Sequence, residues 1–228
     1  WTAWHNTNGT TVTPPYAELE VRFHATIIYN GATWKGRAIE TYVNGKDGYA
    51  SFKDDPNPSG RSTTGYYLRK LVDENHIDLN SQASTQTWVS IRMAEVYLNR
   101  AEAAFMLNNF PQANADVRKI RERVNLPYSD KSGSELMDAI RQERKVELAY
   151  EGHLYWDMRR WKLAHIKYNG PGSRVHGLKI VKEGAILTWF YVDCDKQDRS
   201  FQQKMYRIPM PESELMNNTA VQQYPEWR

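Results

Sequence analysis

The feature that most limits what this chain can fold into is a helix-period stretch, residues 88–161, whose apolar positions are interleaved with carboxylates and guanidiniums. It runs through Glu143-Arg144-Lys145-Val146-Glu147-Leu148-Ala149-Tyr150-Glu151-Gly152-His153 and on to Asp157-Met158-Arg159-Arg160-Trp161. Glu143, Glu147 and Glu151 recur every fourth residue, which on a continuous helix puts all three on one face. Carboxylates among apolar neighbours need cations, and Arg159 and Arg160 on the following helix are the expected partners. These five side chains read as an internal clamp between packed helices, in which loss of one partner costs about 3–5 kcal/mol. The competing reading makes two of the carboxylates a glycosidase acid and base, but that chemistry needs them about 5–10 Å apart across an open cleft. Apolar neighbours leave no such cleft. Similar pairing is expected of Glu95 and Glu102 with Arg92 and Arg100, and of Asp157 with Arg160.

Within this stretch Trp88, Ile91, Ala94, Leu98, Ala101 and Phe105 recur at three and four residues and predict a helix starting at Trp88. Asn108-Asn109-Phe110-Pro111 ends it and starts a second, since proline suits a first helical turn. The second helix carries Ala113, Val117, Ile120 and Val124 on one stripe and breaks at Leu126-Pro127. A second pair follows. Ser132 or Ser134 caps a helix over about residues 135–151, and Gly152 breaks the chain before a helix from 153 to about 165. Trp156, Trp161, Met93, Met106 and Met158 are expected in the core. Paired helices with alanines at the contact are similar to tetratricopeptide units, which need about three units for stability. Two hairpins therefore predict an N-terminal part that this sequence does not contain.

Residues 1–87 show almost no helical period, and turn sequences such as Asn44-Gly45-Lys46-Asp47-Gly48 recur. Two short β-prone runs interrupt them, Phe23-His24-Ala25-Thr26-Ile27-Ile28-Tyr29 and Gly65-Tyr66-Tyr67-Leu68-Arg69-Lys70-Leu71. Residues 167–228 return to loops with strand-like Leu178-Lys179-Ile180-Val181 and Ala185-Ile186-Leu187-Thr188-Trp189-Phe190-Tyr191-Val192, joined as a hairpin. The organisation expected is a loop-rich region over 1–87, helical hairpins over 88–166 and a loop and short-strand region over 167–228. The fold class is mainly α.

Aromatics make up 12% of the chain, and many lie in polar loops where a core would not use them. Trp1, Trp4, Tyr16, Trp34, Tyr42, Tyr49 and Phe52 stand among Asn, Thr, Gly and Asp, a mixture offering flat apolar faces and polar groups to a sugar ring. Trp1, Trp4, Trp34 and Tyr42 are the first candidates for ligand contact; the alternative is loops pinned by their own aromatics. With 30 basic against 27 acidic residues spread along the chain, there is no stripe for nucleic acid. The lone Cys194 excludes an intrachain disulfide, and the six histidines show no metal-ligand spacing. There is no nucleophile elbow and no phosphate loop. No enzyme, cofactor or metal is expected. A start on Trp1 with no methionine or signal peptide reads as a piece of a longer protein.

Four motifs then point one way: Thr64-Gly65-Tyr66-Tyr67-Leu68-Arg69-Lys70-Leu71-Val72-Asp73; Ile91-Arg92-Met93-Ala94-Glu95-Val96-Tyr97-Leu98-Asn99-Arg100-Ala101-Glu102-Ala103; the series over residues 143–161; and Tyr206-Arg207-Ile208-Pro209-Met210-Pro211-Glu212-Ser213-Glu214. In this order they closely resemble the C-terminal half of the SusD/RagB family of nutrient-binding surface lipoproteins. The resemblance implies a SusD-like helical scaffold and non-catalytic capture of an oligosaccharide or other nutrient. It also implies delivery to a SusC-like TonB-dependent transporter and a lipid anchor at the outer-membrane surface, on an N-terminal cysteine absent from this chain. The missing N-terminal half of the same protein would supply part of the site. The rival is a tetratricopeptide-like scaffold that binds only protein.

Overall fold

The computed structural model describes residues 9–50, 61–76, 83–194 and 198–228. It is helix-rich with a few short strands, and it divides into two compact units. Unit 1 comprises residues 1–154 and 176–194; unit 2 comprises 155–175 and 195–228.

Unit 1 begins with a short helix, α1 (Val21–Thr26), followed directly by strand Ile27–Ile28, which pairs antiparallel with Tyr67–Leu68. The first β-prone run is thus helical over its front half and extended only at its end. The reason is tertiary: Arg22 on α1 is drawn into the carboxylate cluster described below, which overrides a weak strand propensity. The principal helices are α2 (Met93–Met106), α3 (Phe110–Glu122) and α4 (Gly133–Glu147).

Helix α2 starts at Met93 and not at Trp88. Arg92 has extended φ and ψ of −138° and 159°, and its guanidinium is tied to Glu147 and Glu151. That anchor sets the helix start, and it leaves Trp88 and Ile91 outside the helix at 69% and 71% exposure. Asn109 then caps α3 by accepting from the Gln112 N–H, with Pro111 in the first turn. Helix α4 ends at Glu147, four residues short of the expected end. Tyr150 and Gly152 adopt left-handed φ of 63° and 83°, so Glu151 sits in the turn and not on the helix face.

The helices pack along the expected stripes. Ala101, Ala104, Ala113, Val117, Leu136 and Ile140 form one buried cluster, and Ala94, Leu98, Ile120 and Leu148 another. Leu98, Leu136 and Ile140 are fully buried, each contributing about 1.5–3 kcal/mol of transfer free energy. The buried Asn114 is saturated: its amide donates to the Phe110 and Lys131 carbonyls, and its oxygen accepts from Tyr128 and the Lys131 N–H. It thereby fixes the α3–α4 loop. Met93 and Met106 are 61% and 64% exposed, so they are not core fillers.

The strand hairpin His176–Glu183 and Ile186–Asp193 belongs to the same unit as the early loops. Its Leu178, Ile180 and Trp189 are buried with Tyr16 and touch Tyr29, Tyr42 and Tyr66. Close approach requires glycine here. A Cβ on Gly65 would stand 2.3 Å from the Leu178 carbonyl oxygen, and one on Gly177 would stand 2.5 Å from Thr64 Cα.

Unit 2 holds most of α5 (His153–Arg160), α6 (Ala164–Lys167) and α7 (Glu212–Asn217). Asn169–Gly170 pairs with Arg199–Ser200, and single 3₁₀ turns lie at Gln203–Tyr206 and Pro225–Trp227. The buried residues of α5 are Asp157, Met158 and Arg159, which turns Trp156 outward at 58% exposure. Trp156 is therefore not core; Trp161 is half-buried beneath the Arg160 guanidinium, 4.9 Å from its ring centroid. No helix among the described residues is long and apolar enough to cross a membrane.

Candidate functional site

Two constellations in unit 1 decide what the chain can do. The first is the carboxylate cluster at the end of α4. Glu147 Oε1 accepts from Arg92 at 2.7 Å and Arg123 at 2.9 Å, and its Oε2 accepts from Arg22 and Arg123, both at 2.9 Å. Glu143 takes Arg22 on one oxygen and Arg121, at 3.1 Å, on the other. Glu151 takes Arg92 on both oxygens at 2.7 Å, and Lys70. The side chains of Glu143 and Glu147 are 3% and 2% exposed.

The cations found here are Arg22, Lys70, Arg92, Arg121 and Arg123, in place of the expected Arg159 and Arg160. Those two arginines serve unit 2. Arg159 donates to the Tyr206 carbonyl at 2.9 Å and lies over the Tyr155 and Phe201 rings, while Arg160 donates to Asp157 at 2.9 Å. Arg100 likewise pairs with Asp116, bidentate at 2.6 and 2.9 Å, and Glu95 stands 3.6 Å from His153 Nε2. Sequence reasoning missed Arg22, Lys70, Arg121 and Arg123. The available signal was arithmetic: three carboxylates among apolar residues call for more than two guanidiniums.

Burial on its own raises the Glu147 carboxyl, but hydrogen bonds from Arg92 and Arg22 and the charge of Arg123 outweigh it, holding the group below the usual carboxylate range. Glu151 is lowered in the same way against its burial, by Arg92 and Lys70. A general acid must hold a proton near neutral pH, and a general base must have a free lone pair facing substrate. Glu147 has neither. Glu143 borders a hollow of about 320 Å³, and its oxygens are occupied by Arg22 and Arg121.

The second constellation surrounds Trp34. Thr33–Trp34 and Arg37–Ala38 form a minimal hairpin, Trp34 opposite Arg37. Its two central residues, Lys35 and Gly36, have φ of 48° and 77°, the paired left-handed geometry of a two-residue hairpin turn. Trp34 is half-buried, with the Arg69 guanidinium 5.8 Å from its ring centroid. Arg69 is fixed by Glu74 at 2.6 Å and the His24 carbonyl at 3.3 Å. It also lines a hollow of about 410 Å³ with His24, Tyr29, Lys35, Glu74 and Asn75. That volume fits one or two sugar rings, and the lining supplies a ring, two cations, a carboxylate and an amide.

Tyr42 stands elsewhere, packed against the hairpin core with Lys182 Nζ 4.6 Å over its ring. Tyr16 and Tyr49 are buried at 6% and 7%, so these two loop aromatics pin the loops. The Tyr16 ring stacks on Tyr29 at 4.1 Å, and its hydroxyl meets Tyr66 at 3.2 Å. Burial pushes the Tyr66 phenol up to about 12 despite that bond, keeping it neutral. Trp1, Trp4 and Phe52 lie outside the described residues. Among the described residues there is no cluster of three His, Cys, Asp or Glu able to hold a metal.

This scaffold has known relatives. A SusD-like protein of Bacteroides fragilis superposes with a TM-score of 0.77 at 28% identity, covering 92% of this chain and 39% of its own. A second solved protein of that species, described as a SusD-like carbohydrate binding protein, gives 0.67 at 26% identity over 89% of this chain and 41% of its own. The SusD-like protein P2 of Formosa agariphila is 29% identical over 155 residues, 62% of this chain and 26% of that protein. The chain thus spans about a quarter to two fifths of the length of these relatives. The family model for the SusD family matches residues 1–227, and with the helical scaffold and its saturated carboxylate cluster in place, the chain belongs to the SusD family.

Proposed function

We propose that this chain is part of a surface protein that binds a saccharide without transforming it and hands it to a SusC-like TonB-dependent outer-membrane transporter. The observation that carries this reading is the family match over residues 1–227. One similar structure is described as a carbohydrate binding protein, which supports the ligand class. The occupied oxygens of Glu147 support binding in preference to hydrolysis. On this reading the hollow is a contact surface in which Arg69 and Asn75 bind hydroxyls, and Trp34, which lies against Arg69 between the lining residues Thr33 and Lys35, adds a ring contact of about 0.5–1.5 kcal/mol at its edge. Such weak contacts suit a ligand that is passed on. The protein is anchored at the cell surface by a lipid outside this sequence.

Isothermal titration of the full-length protein against a panel of oligosaccharides tests the proposal. At least one oligosaccharide binds, and Trp34→Ala weakens it about tenfold with unfolding unchanged. A panel with no binder refutes it. One observation favours contact with a protein partner as well: Met93, Val96 and Leu107 on and after α2 are 61%, 44% and 80% exposed. A protein-only scaffold predicts co-purification of the transporter, loss of it with Val96→Glu, and no saccharide binding.

A further inference from the structure

The formal charge of +3 is unevenly placed. Unit 2 has ten Lys and Arg against six Asp and Glu, whereas unit 1 has twenty against twenty-one, so the excess lies wholly in unit 2. Part of it gathers in a cleft of about 570 Å³ lined by Lys162, His165, Gln203, Lys204, Tyr206, Arg207 and Glu226. Three cations share this space with one carboxylate.

How those cations are held matters more than their number. Lys162 Nζ lies 4.3 Å from the Tyr206 ring centroid, and Lys204 Nζ lies 4.5 Å from that of Trp227. Arg207 lies 4.7 Å over Tyr224 and shares its charge with Glu226 at 3.3 Å. A carboxylate cancels a cation's field, whereas a ring face positions the cation and leaves its charge and most of its N–H donors available. The rings themselves are fixed. The Trp227 indole donates to the Lys204 and Arg207 carbonyls at 3.2 and 2.8 Å, and the Tyr206 hydroxyl accepts from the His165 N–H at 3.1 Å. Lys162 is held in left-handed backbone at φ 57°, the turn that closes α5. The result is a preorganised set of donors around a space of ligand size.

We infer that this cleft receives an anionic group, the carboxylate of a uronic acid or a sulfate ester, carried by the saccharide. The inference rests on the saccharide reading above and narrows its ligand to acidic glycans. Charge-assisted bonds from two ammoniums and a guanidinium match an oxyanion, and Gln203 matches the neighbouring hydroxyls.

The test compares oligouronides, sulfated oligosaccharides and their neutral counterparts by titration calorimetry on the full-length protein at low and high salt. An acidic ligand of either kind binds about tenfold tighter than its neutral counterpart, and the gap narrows several-fold at high salt. The double variant K162Q/K204Q removes the gap and spares the neutral ligands. Glu226→Gln widens it. The uronide and sulfate arms identify which oxyanion is taken. Equal binding of charged and neutral ligands, or an unchanged gap in K162Q/K204Q, overturns the inference while leaving saccharide binding intact. If no saccharide binds, the broader proposal fails and inorganic sulfate judges the cleft alone. A shift of the Trp227 indole resonance that K162Q/K204Q abolishes supports an oxyanion site, and no shift overturns it.

Discussion

The carboxylate cluster of unit 1 and the basic cleft of unit 2 handle charge in opposite ways. Around Glu147 each charge meets its opposite in buried surroundings, where four guanidinium contacts occupy two oxygens. In unit 2 the cations of Lys162 and Lys204 rest on rings, and among the described residues no carboxylate pairs with either. The first arrangement spends its charge on holding α1, α2 and α4 together and has none to offer a ligand. The second adds little to the fold and keeps its field. Charged residues in the same chain thus divide by partner chemistry into those that build and those that present.

Glu147→Gln breaks the comparison most severely if the cluster is wrongly read. It removes the shared anion of Arg22, Arg92 and Arg123, and urea unfolding should show a loss of about 3–5 kcal/mol. Acid is the next lever. Glu147 and Glu151 are held below the usual carboxylate value of 4.5, so their contribution is complete above that pH and is lost as pH falls through the lowered values. Melting temperature should therefore fall progressively below about pH 4.5, and less steeply in a Glu147→Gln, Glu151→Gln double variant. The smallest effect belongs to unit 2. Lys204→Gln loses one cation–ring contact and should change stability by at most about 1 kcal/mol. A larger loss there would erase the distinction.

Much of the scaffold was legible because it is local. Leu98, Ala101, Ala113, Val117 and Ile120 are buried as their spacing required, and Leu178, Ile180 and Trp189 lie on the inner face of the expected hairpin. What escaped was set by distant residues. Arg92 starts α2 because its side chain is bound 55 positions away, and Arg22 joins Glu143 across 121 positions, a separation no periodicity records. Trp156 showed the helical spacing of a core residue, but an eight-residue helix with Asp157, Met158 and Arg159 inward has no room for it there. Trp34 and Tyr42 looked alike as aromatics in polar loops, but only the structure shows that Trp34 lies against Arg69, which lines a hollow, whereas Tyr42 is covered by Lys182. The basic cleft was hidden because Lys162 stands some forty positions before Lys204 and Arg207 in a nearly balanced sequence.

The carboxylates of the cluster are structural, and a double-mutant cycle on Arg92 and Glu147 tests that most directly. Unfolding free energies of Arg92→Ala, Glu147→Ala and the pair together give the coupling between two side chains 2.7 Å apart. A coupling of about 2 kcal/mol or more is predicted, with saccharide binding retained in whatever fraction stays folded. Coupling near zero, with stability intact and ligand binding or turnover lost, would contradict it.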